Sequence, residues 1–415
     1  MYNIINLILL ISFIGVSFYS VWVIILICGS LRETKINYDF SQIPNDIKMF
    51  ILMPMLDEAE VAKQTLINFL KNTINLPQVC LYVIDDGSDD GTAAVIAKFI
   101  TDHQQSNKIH LIRRTLPNAQ TGKGDALNYG LNYIRQQTPA GGDNVIGVLD
   151  ADAVMKQVDF QKVLYRFASD PQLALLQTKV RMLNANNWLQ KMQDIEFATV
   201  NDWIQRIRNK IHDAAASGNG QFIRMNAIKE QAAPWGNALL EDFEFSTNFL
   251  LQGKKTLYCS DIVVYQEAVN KLVSFIRQRS RWTQGGLDCI GKYLKKIIHS
   301  SQIKLSAKVE MTYFMFLPFF TLLVGFSNLL TFIFALERIN AFVNLFIFLI
   351  DANCFLALYM SIKFSSDVKK VKLRTIIECL GMNVYNLILF PSVVIALYRK
   401  ITKKQKWIKT AHGQN

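Results

Sequence analysis

At 415 residues the chain is long enough for one large domain with membrane segments or for two ordinary domains, and its 51% hydrophobic against 19% charged residues is informative because the apolar residues gather at both ends. The formal charge of +12 suits an anionic partner, and the basic residues that flank apolar stretches (Lys363, Lys369, Lys370, Lys372, Arg374, Arg399, Lys400 and the lysines up to Lys409) point to the inner leaflet of a membrane and not to nucleic acid. Six cysteines without a C-x-x-C pair and five histidines without an H-x-x-x-H pair exclude a zinc ribbon and a disulfide framework, leaving buried thiols in a reducing compartment.

Ile4 to Ile27 is apolar almost without interruption, enough to cross a ~30 Å hydrocarbon core as a helix. The chain starts without a basic region, the run is too long and Gly29-Ser30 is a poor cleavage site, so residues 1–30 read as a membrane helix and not as a signal peptide. Arg32 and Lys35 follow and put the next segment in the cytoplasm.

Residues 41–270 carry the pattern of a soluble α/β domain. Short β-branched runs predict strands over Met49–Met53, Val79–Ile84, Ile109–Arg113, Val145–Leu149 and Leu173–Thr178, alternating with helices over Glu58–Leu70, Thr92–Gln104 and Ala126–Gln136. That order implies a mostly parallel sheet with helices on both faces.

The second strand runs straight into Asp85-Asp86-Gly87-Ser88. Ligands of open parallel sheets bind outside the carboxyl ends of the strands, where two carboxylates can hold a base or ribose and contribute to a cation site. Alone, the same residues are ordinary turn and cap formers. Thr121-Gly122-Lys123-Gly124-Asp125-Ala126-Leu127-Asn128 resembles a phosphate loop at a helix start but lacks the Walker spacing, so it does not mark an ATPase; Lys123 remains able to reach a phosphate or the uracil side of a pocket. Asp150-Ala151-Asp152 ends a later strand, and in an extended D-x-D both carboxylates point to one side, which suits Mg2+ or Mn2+ shared with a diphosphate. Two acidic strand ends on one crevice favour nucleotide-diphosphate binding over two capped turns.

Leu240-Glu241-Asp242-Phe243-Glu244-Phe245 embeds Asp242 among apolar residues. Such a carboxylate suits a base beside an acceptor hydroxyl, or is simply an acid at a helix start. Gln278-Arg279-Ser280-Arg281-Trp282 offers an indole to stack on a sugar, with arginine and glutamine for diphosphate oxygens and hydroxyls. It belongs to Leu272–Leu305, whose apolar and basic residues mix at helical spacing and should lie along the membrane surface.

Three apolar stretches close the chain: Met311–Leu336, Ala341–Met360 and Ile376–Leu397. The basic loop from Lys363 to Arg374 and the basic tail after Tyr398 both belong in the cytoplasm, yet one crossing between them would separate the two. Ile376–Leu397, interrupted by Gly381, Asn383 and Pro391, is therefore read as a tight re-entrant hairpin or an oblique segment. Asp351, inside a membrane stretch, lines a sugar channel or else lies near the interface or is paired structurally.

The ordered set D-D-G-S, D-A-D, L-E-D-F-E-F and Q-R-S-R-W between membrane segments resembles the processive family 2 glycosyltransferases, the group of cellulose, hyaluronan, chitin and poly-N-acetylglucosamine synthases, closely over residues 50–286. The resemblance implies a GT-A-type nucleotide-sugar-binding α/β domain (41–270), an amino-terminal transmembrane helix (1–30), interfacial helices (271–306), a carboxy-terminal membrane region (307–398) and a basic cytoplasmic tail (399–415). It makes Asp85, Asp86, Lys123, Asp150, Gln278 and Arg281 donor-binding residues, Asp150 and Asp152 ligands of Mg2+ or Mn2+, and Asp242 the catalytic base. Trp282, Glu241 and the loop residues Gly218, Asn219 and Gln221 fall on the acceptor side, while Trp407, Lys409 and Thr410 match a gating segment that closes over the donor. Leu240 stands where many members carry Thr, and Asp125 where an apolar or amide residue is common. QRSRWTQGG and a single amino-terminal span lean towards the poly-N-acetylglucosamine synthase branch.

The implied activity is inverting transfer of a sugar from a UDP-sugar to the end of a growing β-linked polysaccharide, coupled to export. It implies a multi-pass plasma-membrane enzyme with a cytoplasmic catalytic domain, the bilayer as partner, an accessory membrane or export subunit, and no nucleic acid. Two other readings stand beside it: transfer of one sugar to a lipid carrier, and a membrane scaffold or transporter whose middle domain senses nucleotide.

Overall fold

The computed structural model describes residues 2–31, 36–105, 107–138, 143–183, 185–337, 339–368 and 373–402. After α1 (Tyr2–Gly29) come β1 (Met49–Met55), α2 (Ala59–Thr73), β2 (Val79–Asp85), α3 (Thr92–Asp102), β3 (Ile109–Arg113), α4 (Lys123–Gln137), β4 (Val145–Val148), β5 (Val154–Met155), α5 (Gln157–Ser169) and β6 (Leu173–Leu183). There follow α6 (Trp188–Glu196), a π-helical turn (Phe197–Asn201), α7 (Asp202–Ile211), β7 (Gln221–Arg224), α8 (Glu241–Leu251), β8 (Lys255–Glu267) and α9 (Leu272–His299). The chain continues as α10 (Leu305–Leu336), α11 (Asn340–Val368), α12 (Leu373–Leu380) and α13 (Met382–Ile401).

Alternation along the first strands sets the layers. Met49, Ile51, Met53 and Met55 of β1 enter one core and Phe50 and Leu52 the other, and β2 repeats this with Val79, Leu81 and Val83 against Tyr82 and Ile84. A strand apolar on both faces needs a layer on each side. Leu66 of α2, Phe99 of α3 and Phe160 of α5 cover the first face; Leu127 and Leu131 of α4 with Phe245 and Phe249 of α8 cover the second.

The eight strands are ordered β3-β2-β1-β4-β7-β6-β8-β5. The first four pair in parallel, β7 runs antiparallel between β4 and β6, and β8 pairs parallel with β6 and antiparallel with β5. The mostly parallel, two-sided sheet is as expected, and β5, β7 and β8 are additions to it. Met55 of β1 is in register with Asp85, and Leu52 with Val148, so both acidic strand ends reach the same edge.

Among the described residues four helical segments are long and apolar enough to cross a membrane: Asn3–Gly29, Leu305–Leu336, Asn340–Ser365 and Leu373–Ile401. α1 and α10 are in close contact at Gly15, where an added Cβ would sit 2.2 Å from Ser327 Oγ. α1 ends on the α/β domain, since a Cβ at Gly29 would lie 2.3 Å from the Trp203 carbonyl oxygen of α7. The last segment is not a tight hairpin: Gly381 keeps a right-handed helical backbone, its N–H reaches the Ile377 carbonyl (3.1 Å) and its carbonyl takes the Tyr385 N–H (3.0 Å), so helical bonding runs on from α12 into α13. Glycine tolerates many conformations, but with both backbone groups satisfied in the ladder it has no reason to turn. The expectation of six buried thiols holds for Cys259, Cys289 and Cys379; Cys80 is half-buried, and Cys28 and Cys354 are exposed on the apolar helices.

Candidate active site

Loops leaving the carboxyl edge of the sheet enclose a cavity of about 1000 Å3 that continues between α1, α10 and α13. At its sheet end Gly87, at φ +79°, turns the chain after β2 in a conformation that side chains resist. Asp86 lines the cavity and accepts the Arg114 guanidinium and the Gln120 N–H (3.1 Å). Burial raises its pKa, and those two donors act against the rise.

Lys123 opens α4. Gly124 lets this turn press on the segment before α8, because an added Cβ would lie 2.0 Å from the Gly236 oxygen, and Asn128 holds the Trp235 N–H and carbonyl (3.1 and 2.8 Å). Lys123 Nζ donates to Asp150 Oδ1 (2.7 Å) and the Gly218 carbonyl (3.2 Å) and stands 3.7 Å from Glu241 Oε1. Burial opposes its charge, but Asp150, Glu241 and Asp242 outweigh that and hold the ammonium above its ordinary range.

Asp150 and Asp152 both line the cavity, though not from an extended strand: the Ala153 N–H bonds the Asp150 carbonyl (3.0 Å), so the pair sits on a turn. Thr65 Oγ1 pins that turn through the Ala151 carbonyl (2.5 Å). Asp152 Oδ2 accepts the Glu267 N–H (2.8 Å), while the Asp150 side chain is 34% exposed. Among the described residues no three His, Cys, Asp or Glu side chains converge as a metal site. Two carboxylates fit a hard divalent ion only if a bound diphosphate supplies further oxygens.

Asp242 lies in the first turn of α8. Its Oδ1 takes the Phe243 N–H (2.7 Å), and Oδ2 faces Gly218, where a Cβ would lie 3.4 Å away. Burial first, then the adjacent Glu241, push its pKa up to about 7, against the Phe243 N–H and Lys123. A carboxylate of that affinity can accept a proton near neutrality.

α9 meets the residue that precedes α8 at Gly285, whose missing side chain admits Leu240: a Cβ there would be 2.7 Å from Leu240 Cβ. Gln278, Arg281 and Trp282, spaced three and four apart, all line the cavity. Burial lowers the pKa of Arg281, against the pull of Glu241, Asp150 and Asp242. Arg279 binds Glu196 in fork geometry (2.8 and 2.7 Å), and the Tyr385 hydroxyl of α13 donates to Glu196 (2.5 Å) while accepting from Arg279 (3.1 Å). Glu196 ends α6 where the π turn begins, and that turn puts Phe197, Val200 and Asn201 on the cavity wall.

At the membrane end Arg208 of α7 meets Glu310 of α10 (2.8 Å) and lies 4.7 Å from the Phe314 ring centroid. Beside them Asp213 is pushed up to about 9 by burial first and by Glu310.

Of the sequence-predicted residues, Asp86, Lys123, Asp150, Asp152, Gly218, Glu241, Asp242, Gln278, Arg281 and Trp282 share this cavity. Asp85, Asn219 and Gln221 do not line it. Asp85 is wholly buried, bonded to the Ser88 N–H (3.3 Å) and 3.6 Å from Arg113; its carboxylate shapes the turn. Asn219 accepts the Asp150 N–H (3.2 Å) and donates to Gln266 (2.9 Å), so it braces the acidic turn from behind. Gln221 is buried within β7. Trp407, Lys409 and Thr410 lie outside the described residues. Residues that sequence reasoning passed over are Arg114, Glu196, Arg208, Glu310 and Trp22; only Arg114, directly after a predicted strand of the same parallel set, carried a local signal.

Residues 145–360 match the profile of glycosyl transferase family group 2, and residues 50–231 that of glycosyl transferase family 2. Glucomannan 4-beta-mannosyltransferase 7 of Arabidopsis thaliana is 22% identical over 290 residues, 69% of this chain and 50% of that protein. Poly-beta-1,6-N-acetyl-D-glucosamine synthase of Staphylococcus aureus is 26% identical over 243 residues, 57% of this chain and 53% of that one. The chain thus spans about half the length of each. The mannosyltransferase PcManGT from Pyrobaculum calidifontis, solved in complex with GDP-Man and Mn2+, superposes with a TM-score of 0.66 over 96% of this chain and 100% of its own at 13% identity, a likeness of fold.

Proposed function

We propose, from the premise that this chain belongs to glycosyl transferase family group 2, that it is a membrane-bound inverting glycosyltransferase which moves a sugar from a UDP-sugar to the end of a growing β-linked polysaccharide. The observation that carries the reading is the meeting of two acidic turns, the carboxylate of α8 and the basic aromatic face of α9 around one cavity. The glucomannan and poly-N-acetylglucosamine relatives favour a polysaccharide product.

In this reading Asp242 takes the proton of the acceptor hydroxyl as its oxygen attacks the anomeric carbon and the diphosphate departs. Asp86 holds the nucleoside, and Lys123, Gln278 and Arg281 face the diphosphate, where fixed positive charge offsets what builds on the leaving group. Asp150 and Asp152 would hold Mg2+ or Mn2+, which supplies further charge compensation when bound. Trp282 offers its ring to the acceptor sugar. The flanking basic residues support a cytoplasmic site on the plasma membrane.

A second reading rests on the lower cavity, where Leu317, Pro318, Leu389 and Val393 of the apolar helices form part of the wall. Such a surface also suits a lipid-linked acceptor. Full-length protein in nanodiscs should release UDP from one member of a panel of UDP-sugars with Mn2+, and the product should fall to a linkage-specific hydrolase. A single sugar on an extractable lipid would select the second reading, and no UDP release from any donor would defeat both.

A further inference from the structure

Asp351 does not line the cavity and makes no hydrogen bond or ion pair among the described residues. It is exposed on α11, on a stripe with Asn344, Phe348, Phe355, Leu358 and Ile362, while Phe342, Leu349, Ala357 and Met360 on the other side are buried against this chain. The exposed positions repeat every three and four residues, the spacing by which one helix receives another.

Two contacts set the direction of α11. Tyr19 of α1 donates to Asn353 of α11 (2.6 Å), and Ser30 meets Tyr359 (2.5 Å), so the two helices run in the same direction with their carboxyl ends at the catalytic domain. The Asn340–Ser365 span of α11 has its midpoint between Ala352 and Asn353, so Asp351 lies within two residues, about 3 Å of helix rise, of the centre of its own span. The carboxylate therefore faces outward at mid-membrane depth, where an ionisable group is costly unless it is paired.

A second copy of this chain offers no such pair. Residues 2–29, 311–336, 341–362 and 382–398 contain no Lys, Arg or His, and Asp351 is the only charged residue among them. Two copies meeting on this stripe would set carboxylate against carboxylate.

We propose that the Asn344–Asp351–Leu358 face of α11 docks a membrane-spanning helix of a separate protein, one that presents a Lys or Arg side chain at mid-membrane depth to Asp351. The apolar and aromatic residues of the stripe supply the packing, Asn344 a further hydrogen-bonding group, and the ion pair the specificity.

The test is site-specific photocrosslinking in membranes of the producing organism, with a photoreactive side chain at Phe355. The expected adduct contains a second protein with a cation inside its membrane helix. Both Asp351→Leu and Asp351→Asn should reduce it at least tenfold, and Asp351→Lys paired with an aspartate in place of the partner's cation should restore it. UDP release by the detergent-purified Asp351→Asn protein should equal that of the wild type, which separates docking from catalysis. Adducts with lipid alone, adducts with a second copy, or a protein adduct that survives Asp351→Leu would each overturn the proposal.

Discussion

The guanidinium of Arg279 lies 4.6 Å from the centroid of the Trp282 ring while both of its terminal nitrogens are held by Glu196. The proposed acceptor platform is thus fixed by a residue that is itself clamped, and the clamp reaches α13 through Tyr385. Arg279→Lys keeps the charge but loses the fork. It should lower turnover by ~10²-fold, the order expected when a reacting group is displaced by about 1 Å, with UDP affinity by calorimetry unchanged. Tyr385→Phe removes a smaller part of the clamp and should cost about tenfold. Loss of UDP affinity in step with turnover would show that Arg279 supports the donor side.

Asp242→Asn retains the shape of the first turn of α8 and removes the proposed base. Turnover should fall by ~10²–10⁴-fold, the usual worth of general-base catalysis, while nucleotide still binds. If that variant and Asp152→Asn both turned over at the wild-type rate, the assignment of the cavity would be wrong.

With Asp242 at about 7, its protonated form, inactive if Asp242 is the base as proposed, gains as pH falls through neutrality. The rate should therefore climb with pH up to about 7 and level above it. Glu241 is the second cause of the raised value, so Glu241→Gln should move the rising limb to lower pH. A pH–rate profile of UDP release read for both proteins checks the sign, and an unmoved limb in the variant would separate it from Asp242.

Gly285→Ala would put a methyl group 2.7 Å from Leu240 Cβ and 2.8 Å from the Leu240 nitrogen, forcing α9 away from α8. Overpacking of this kind costs ~1–3 kcal/mol. Gly291, further along the same helix, has nothing within 4 Å, and Gly291→Ala should be neutral or stabilising by about 0.5–1 kcal/mol. Thermal unfolding in detergent distinguishes the two, and equal melting temperatures would remove Gly285 as the contact point.

The parallel half of the sheet was legible because β1, β2 and β4 bury both faces and so read as short apolar runs beside amphipathic helices. β5 is two residues long and β7 four, too short for any period to show. The D-A-D segment was expected to be extended, and tertiary bonds to Ala151 and within the turn override that local preference. What could not be read was pairing at a distance: Glu196, Arg279 and Tyr385 are separated by 83, 106 and 189 residues, and nothing local to any of them marks the others. Asp351 was seen as a charge out of place, but its outward direction depends on how α11 rolls against its neighbours.

Trp22 of the first helix forms part of the cavity wall, and the same helix ends against Trp203 without room for a methyl group between them. The amino-terminal segment is therefore no detachable tether. A catalytic domain freed from it to gain solubility would lose a side of its own reaction chamber, and its silence in an assay would say nothing about the chemistry of the intact molecule.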